Sequence, residues 1–138
     1  MKTIYSTKVK ATGGRNGQVT SDDGILSLET RIPKEMGGAG GSFTNPEQLF
    51  AAGYAACFDS ALNLVIRKSG LKVENTAVYA TVGIGEQDGG YGLSVLLEVE
   101  VPGIEKELAE ELASQAHQVC PYSNATRGNI PVEVKVIM

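Results

Sequence analysis

The chain has 138 residues, a formal net charge of −4 and a sequence pI near 5.0. This length suits a single domain spanning 1–138, which can bury about two-thirds of the surface of the unfolded chain. The negative charge and the lack of a basic patch with interleaved aromatic residues argue against nucleic acid as a partner. The chain begins without an apolar signal segment, which predicts a cytoplasmic location.

The N-terminal part predicts three short strands separated by turns. Residues 4–11 alternate between two faces, as in a half-exposed strand, and 18–21 and 25–31 predict two more. Between the first two strands, residues 13–17 place Arg15 among three glycines. The simplest interpretation of this segment is a hairpin tip with a solvated arginine.

Residues 45–70 predict the central helix of the fold. Asn45 suits the N-cap, Pro46 suits the first helical position, and Gln48 has the spacing of a capping box. Gly70 suits the left-handed position that ends a helix. The residues between leave no wide polar face, and a helix that is apolar all round is typically buried. Four charged or polar residues interrupt the apolar run and argue against a membrane span: Glu47, Asp59, Asn63 and Arg67.

The C-terminal half predicts a strand pair, a second helix and a last strand. In chain order these are a strand over 73–85, a turn at 87–90, a strand over 91–101, an amphipathic helix over 105–118, a polar connection over 122–129 and a strand that alternates through Val132, Val134 and Val136. Pro121 restricts the residue before it, Cys120, to an extended conformation.

The order of these elements predicts the fold class. Neighbouring strands joined by tight turns indicate antiparallel sheet, and the mixture with helices makes the class α+β. One chain of this length offers few elements to cover a helix that is apolar on all sides. We therefore expect a homodimer in which two such helices meet at their alanine and glycine positions, with the sheets outside.

The two cysteines, Cys57 and Cys120, are candidates for chemistry. In a reducing compartment a permanent disulfide is not expected, so they are either two inert thiols or a redox couple. Burial in an apolar helix opposes the thiolate that reactivity requires, so a reactive Cys57 needs a nearby cation. Arg15 is a candidate for that cation, held by a carboxylate such as Glu47.

The spacing of Glu47 and Cys57 constrains such a site. They lie ten residues apart, which is about 15 Å along a helix. The two side chains cannot touch within one straight helix. If both belong to one site, Glu47 comes from the partner chain, across an antiparallel pair of helices.

Several motifs together resemble those of a known family. They are ATGGRNG at 11–17, SDDG at 21–24, the stretch from GGAGG to AACFDSAL over 37–62, GYGLSV at 90–95 and AHQVCPYSNATRGNI at 116–130. With these motifs the sequence closely resembles the organic hydroperoxide resistance proteins of the Ohr/OsmC superfamily, over essentially the whole chain. The two longest motifs are the most specific, and each is built around a cysteine.

The resemblance implies a role for each of four residues. Cys57 would be the peroxidatic cysteine and Cys120 the resolving one. Arg15 would be the catalytic arginine, which activates the thiolate and stabilises the peroxide, and Glu47 would position Arg15. The resemblance also implies an OsmC-like intertwined homodimer, with antiparallel sheets wrapped around central buried helices and two sites at the subunit interface.

The activity that the resemblance implies is a thiol-dependent peroxidase in oxidative stress defence. It would reduce organic hydroperoxides to alcohols through a Cys57 sulfenic acid and a Cys57–Cys120 disulfide. A dithiol, a dihydrolipoyl group on a lipoylated protein, would reduce the disulfide, and no bound cofactor or metal would be needed. Phe50, Leu93 and similar apolar residues would line a pocket that favours organic peroxides.

The sequence is also compatible with other functions. Within the same chemistry, the chain could belong to the OsmC branch, with a different peroxide preference. From a different class, a non-catalytic relative would bind a small apolar ligand in the same pocket. His117, three residues before Cys120, invites a Cys–His hydrolase pair, although a residue on the last turn of such a helix is more often packed or solvated. Metal ligation by Cys57, Cys120 and His117 lacks a close-spaced ligand pair.

Overall fold

The computed structural model describes residues 1–137. Within that range the chain forms three α-helices and two three-stranded sheets, which confirms the α+β class. The chain divides into two compact units, one running from Met1 to Leu49 and the other beginning at Phe50. The expectation of a single domain over 1–138 stays a prediction.

The N-terminal unit contains a sheet with the order β1–β2–β3, in which all neighbouring strands are antiparallel. Its strands are β1 (Val9–Thr12), β2 (Gln18–Ser21) and β3 (Ser27–Glu29). The second strand lies where the sequence predicts it. The predicted strands 4–11 and 25–31 are wrong in extent, because only the residues of β1 and β3 pair with β2.

Helix α1 (Pro46–Lys68) begins and ends where it was predicted. The side-chain oxygen of Asn45 accepts a hydrogen bond from the Gln48 amide at 2.8 Å, so Asn45 is the N-cap. Gly70, at φ +75°, has the left-handed conformation beyond the last turn. The side chain of Gln48 does not complete a capping box, because it accepts a hydrogen bond from the Thr44 hydroxyl at 2.6 Å instead.

Within one chain, helix α1 buries one face, so the burial of its other faces in a homodimer stays a prediction. The buried residues are Tyr54, Phe58, Ala61, Leu62, Val65 and Ile66. The exposed residues at four-residue spacing on another face are Ala52, Ala56, Ser60 and Leu64. By length and composition the helix could cross a bilayer. Its buried face belongs to the hydrophobic core, together with residues of the C-terminal sheet and helices.

The C-terminal unit contains a sheet with the order β4–β5–β6. Strands β4 (Ala77–Gln87) and β5 (Gly90–Glu100) pair antiparallel along their whole length. Asp88 and Gly89 between them both have positive φ, as the favoured two-residue hairpin turn requires. Strand β6 (Val132–Val136) pairs parallel to β5, so the expectation of antiparallel pairing throughout is wrong here. Because helices connect β5 to β6, the chain crosses over and re-enters the sheet in the same direction.

Two helices form this crossover. Helix α2 (Lys106–Val119) matches the predicted amphipathic helix to within one residue at each end. Helix α3 (Pro121–Thr126) replaces part of the polar connection predicted over 122–129. Its two buried residues, Ser123 and Thr126, are polar, so periodicity of apolar residues could not reveal it. Proline at the first helical position is the local signal of its start.

Candidate active site

The first part of the candidate site is an ion pair inside the N-terminal unit. The Arg15 guanidinium donates hydrogen bonds to both carboxylate oxygens of Glu47, at 2.7 and 2.9 Å. The two side chains are 31% and 15% exposed, respectively. This is the bidentate geometry that guanidinium and carboxylate groups favour. The hydrogen bond from Arg15 lowers the pKa of Glu47, and the same bond raises the pKa of Arg15.

Backbone geometry holds Arg15 on a tight turn. Gly13 and Gly14 have φ of +73° and +59°, in the left-handed region that favours glycine. A Cβ atom on Gly17 would lie 1.7 Å from a backbone carbonyl oxygen. The buried hydroxyl of Thr30 accepts a hydrogen bond from the Gly17 amide and donates one to the Gly14 carbonyl, both at 3.1 Å. Residues 13–17 therefore form the turn between β1 and β2, as predicted, but Arg15 on this turn is paired with Glu47 rather than solvated.

The second part is the cysteine pair of the C-terminal unit. The Sγ atoms of Cys57 and Cys120 lie 3.6 Å apart, and both residues are free thiols. Cys57 is half-buried on α1, and Cys120 is buried at the junction of α2 and α3. Cys120 has φ −64° and ψ 123°, the extended conformation predicted for the residue before Pro121. Because a disulfide bond is about 2.05 Å long, the sulfur atoms need to approach by about 1.5 Å to form one.

The surroundings of Cys57 in this unit do not favour its thiolate. Burial raises the pKa of Cys57 above its ordinary value of 9.0. A hydrogen bond from the backbone amide of Tyr122 acts in the opposite direction, and the neighbouring Cys120 raises the pKa further. A reactive Cys57 therefore needs a cation in addition to these groups.

An apolar cavity of about 450 Å³ lies in the C-terminal unit. It is lined by Phe50, Leu93, Pro121, Tyr122, Ala125, Thr126, Asn129 and Ile130. Phe50 and Leu93, predicted to line an apolar pocket, are both in this set. Tyr122 connects the cavity to the cysteines, because it lines the cavity and lies two residues after Cys120. Its ring packs against the rings of Phe50 and Tyr54, with centroids 6.1 and 5.6 Å away.

The imidazole of His117 pairs with a hydroxyl group rather than with a thiol. Its Nδ1 atom lies 2.8 Å from the Oγ atom of Ser123. Burial lowers the pKa of His117, and the positive charge of Arg127 lowers it further. This geometry does not support the Cys–His hydrolase interpretation. Among residues 1–137, no group of three or more His, Cys, Asp or Glu side chains could hold a metal ion.

The four predicted site residues thus come together as two pairs. Arg15 contacts Glu47 in one unit, and Cys57 contacts Cys120 in the other. The assembly of both pairs into one site stays a prediction. Sequence analysis missed three buried hydroxyl groups near the cysteines, those of Tyr54, Ser123 and Thr126. Helical spacing offered a signal for Tyr54, which lies three residues before Cys57 and therefore on the same side of α1.

Known proteins resemble this chain over nearly its full length. The family described as OsmC-like protein matches residues 38–135. The organic hydroperoxide resistance protein of Xanthomonas axonopodis pv. citri (strain 306) is 51% identical over 132 residues, which are 95% of this chain and 93% of that protein.

Solved structures show the same relationship. The crystal structure of an organic hydroperoxide resistance protein from Elizabethkingia anophelis has a TM-score of 0.95 at 58% identity, covering 99% of this chain and 98% of that one. That of OhrB from Bacillus subtilis has a TM-score of 0.91 at 42% identity, covering 98% and 100%. The chain therefore belongs to the OsmC-like family and, within it, to the organic hydroperoxide resistance proteins.

Proposed function

We propose that this protein is a thiol-dependent peroxidase that reduces organic hydroperoxides to alcohols in oxidative stress defence. The observation that carries the proposal is the pair of free thiols, Cys57 and Cys120, held 3.6 Å apart. An apolar cavity is lined by Pro121 and Tyr122, which directly follow Cys120, and it suits a substrate with an organic tail. The relatives named organic hydroperoxide resistance proteins support the same substrate class.

The chemistry proceeds in two steps on the protein. The Cys57 thiolate attacks the O–O bond of the hydroperoxide, the alkoxide takes up a proton and leaves as the alcohol, and the sulfur becomes a sulfenic acid. The sulfur of Cys120 then attacks the sulfenic sulfur. The S–S bond forms, the S–O bond breaks, and the hydroxyl group leaves as water with the proton of the Cys120 thiol. A dihydrolipoyl group on a lipoylated protein reduces the disulfide by thiol–disulfide exchange and is itself oxidised to a cyclic disulfide.

In this proposal Arg15 supplies the cation that lowers the pKa of Cys57, since no cation of the C-terminal unit is among the groups that shift that pKa. It also stabilises negative charge on the peroxide oxygens. Glu47 fixes the guanidinium through its two hydrogen bonds, which a lysine could not reproduce.

The two pairs meet across a homodimer in this proposal. Glu47 and Cys57 both lie on α1, about 15 Å apart along its axis. Arg15 is bound to Glu47 of its own chain, so the Arg15–Glu47 pair of one protomer serves the cysteines of its partner. The exposed stripe of α1 that contains Ala52 and Ala56 offers a surface for close helix contact. A monomeric mass by light scattering at micromolar concentration would contradict this assembly.

The test of the activity is oxidation of the reduced protein by tert-butyl hydroperoxide and by hydrogen peroxide, with thiols counted afterwards. We expect loss of both thiols of each chain, much faster with the organic peroxide, and no turnover in Cys57→Ser. Equal rates with the two peroxides would contradict the substrate class. Turnover near the wild-type level in Cys57→Ser would remove the assignment of the peroxidatic cysteine.

The apolar cavity also favours a second candidate, a non-catalytic protein that binds a small apolar ligand there. One equivalent of hydroperoxide separates the two functions. An enzyme forms a Cys57–Cys120 disulfide within the mixing experiment, whereas a binding protein keeps both thiols.

A further inference from the structure

A chain of hydrogen-bonded polar groups, all buried except the half-buried His117, lies next to the cysteine pair, and the reaction steps proposed for the cysteines do not use it. The Oγ atom of Ser123 is 2.8 Å from Nδ1 of His117 and 2.8 Å from the Tyr54 hydroxyl. The Tyr54 hydroxyl is also 3.2 Å from the Thr126 hydroxyl, which donates to the backbone carbonyl of Ser123 at 3.2 Å. Tyr54 and Ser123 have no exposed surface, and Thr126 is 5% exposed.

Each hydroxyl in this chain has one proton, so the direction of the bond between Thr126 and the Ser123 carbonyl sets the direction of the other three. The carbonyl of Ser123 can only accept, and in this arrangement the Thr126 proton points to it. Tyr54 must then donate to Thr126, and Ser123 must donate to Tyr54. The remaining bond is satisfied only if Nδ1 of His117 carries a proton and donates to Ser123.

The hydrogen-bond chain joins residues on both sides of Cys120. His117 lies three residues before Cys120, on the last turn of α2, and Ser123 lies three residues after it, on α3. Cys120 lies at the corner between α2 and α3, and the His117–Ser123 bond joins the two helices across that corner. Arg127 reinforces the corner by donating to the backbone carbonyl of His117.

Tyr54 joins this corner to the other cysteine. It lies on α1, three residues before Cys57, and its hydroxyl contacts Ser123 and Thr126 of α3. The hydrogen-bond chain thus links the helix that carries Cys57 to the corner that carries Cys120.

We propose that His117, Ser123 and Tyr54 are positioning residues that fix the Cys120 sulfur for its attack on the Cys57 sulfenic acid, with His117 held as its Nδ1–H tautomer. The inference rests on the proposed function, because it concerns the disulfide step. It assigns no role to these residues in the reaction with peroxide. A displacement of about 1 Å at reacting atoms can cost on the order of 100-fold in rate.

The first experiment compares Tyr54→Phe, which removes one oxygen atom, with Tyr91→Phe, the same change at an exposed tyrosine. The protein is mixed with one equivalent of tert-butyl hydroperoxide, and the reaction is quenched with a thiol-alkylating reagent. Mass spectrometry then measures the mass of each oxidation state. This separates the rate of sulfenic acid formation from the rate of disulfide formation. We expect Tyr54→Phe to slow the disulfide step about 10- to 100-fold and to leave the oxidation step unchanged. Tyr91→Phe should match the wild type in both.

The second experiment concerns His117. Asparagine places an N–H donor near the position of Nδ1, so His117→Asn should keep most of the disulfide rate, whereas His117→Ala should lose it. Nitrogen-15 NMR of the imidazole at neutral pH should show a protonated Nδ1 and an unprotonated Nε2. The NMR measurement uses the wild-type protein, so it stands even if a variant folds poorly.

The outcomes distinguish the inference from the function on which it rests. If the wild type forms no disulfide, the proposed function fails. If the wild type forms the disulfide and Tyr54→Phe forms it equally fast, the positioning role is wrong. An Nε2–H tautomer, or equal disulfide rates in His117→Asn and His117→Ala, would remove His117 from the chain.

Discussion

In the proposed mechanism Arg15 is the cation that favours the Cys57 thiolate, so replacing Arg15 with alanine should slow the oxidation of Cys57. A thiol with the ordinary pKa of 9.0 is only about 1% ionised at neutral pH. Burial raises the pKa of Cys57 above that value. A nearby guanidinium lowers that pKa, and each unit of lowering raises the ionised fraction at neutral pH about tenfold while the pKa stays above the pH. Lost stabilisation of charge on the peroxide oxygens adds a further factor of about 100.

The assay is the second-order rate constant for oxidation by tert-butyl hydroperoxide, measured from about pH 6 to about pH 10. The wild-type rate constant should level off at a lower pH than that of Arg15→Ala, which should keep rising about tenfold per pH unit for as long as its thiol is mostly protonated. Arg15→Lys keeps the charge without the bidentate contact to Glu47, so its rate constant should be intermediate. Arg67→Ala removes an exposed arginine at the end of α1 and is the matched control.

A rate constant for Arg15→Ala equal to that of the wild type at neutral pH, in a folded protein, would refute this reasoning. The ion pair with Glu47 would then only tie the turn to the start of α1. A loss of the same size at every pH would have a different meaning, because it would assign the effect of Arg15 to the transition state alone.

Three further predictions concern other parts of the molecule. Cys120→Ser should react once with peroxide and stop as a sulfenic acid, which a trapping reagent and mass spectrometry would detect; continued turnover would exclude Cys120 as the resolving residue. Gly53→Ala should lower the urea midpoint despite a gain in helix propensity of about 1 kcal/mol, because the new Cβ would lie 2.6 Å from the Tyr122 hydroxyl oxygen. Adding Tyr122→Phe to the Gly53→Ala protein should recover part of the loss, because two ring carbons would still lie 3.1 and 3.2 Å from the new Cβ. A Gly53→Ala protein as stable as the wild type would show that the ring moves freely. The pKa of Glu47 lies below its ordinary value of 4.5, so the stability that its ion pair contributes is complete above that pH and is lost as the pH falls through the lowered pKa. Glu47→Gln should therefore flatten the acid limb of a plot of urea midpoint against pH, and an unchanged limb would contradict this.

The ends of helix α1 show which features local sequence information can predict. Caps act over a few residues, so Asn45 and Gly70 were enough to place both ends. The turn at Asp88 and Gly89 was equally local. The pairing of Cys57 with Cys120 spans 63 positions of the chain, and only the resemblance to a family predicted it.

Features that depend on tertiary context were predicted poorly. The parallel pairing of β6 follows from the crossover, which strand patterns do not specify. Helix α3 buries the polar side chains of Ser123 and Thr126, which satisfy one another through hydrogen bonds with Tyr54. A pattern of apolar residues cannot report such packing. Which residues of α1 are exposed likewise depends on the elements that pack against the helix.

The short distance between the two thiols affects how the protein responds to excess peroxide. A sulfenic acid that meets a second peroxide becomes a sulfinic acid, and in most proteins that loss is irreversible. In the proposed mechanism this over-oxidation competes with a thiol already 3.6 Å away. Effective molarities of well-oriented intramolecular reactions reach about 10⁵ M or more, so Cys120 acts as a thiol at a concentration that no free thiol reaches. A sudden burst of peroxide should therefore leave the protein oxidised as the disulfide and dependent on its reductant, without destroying the thiol that it needs for the next turnover.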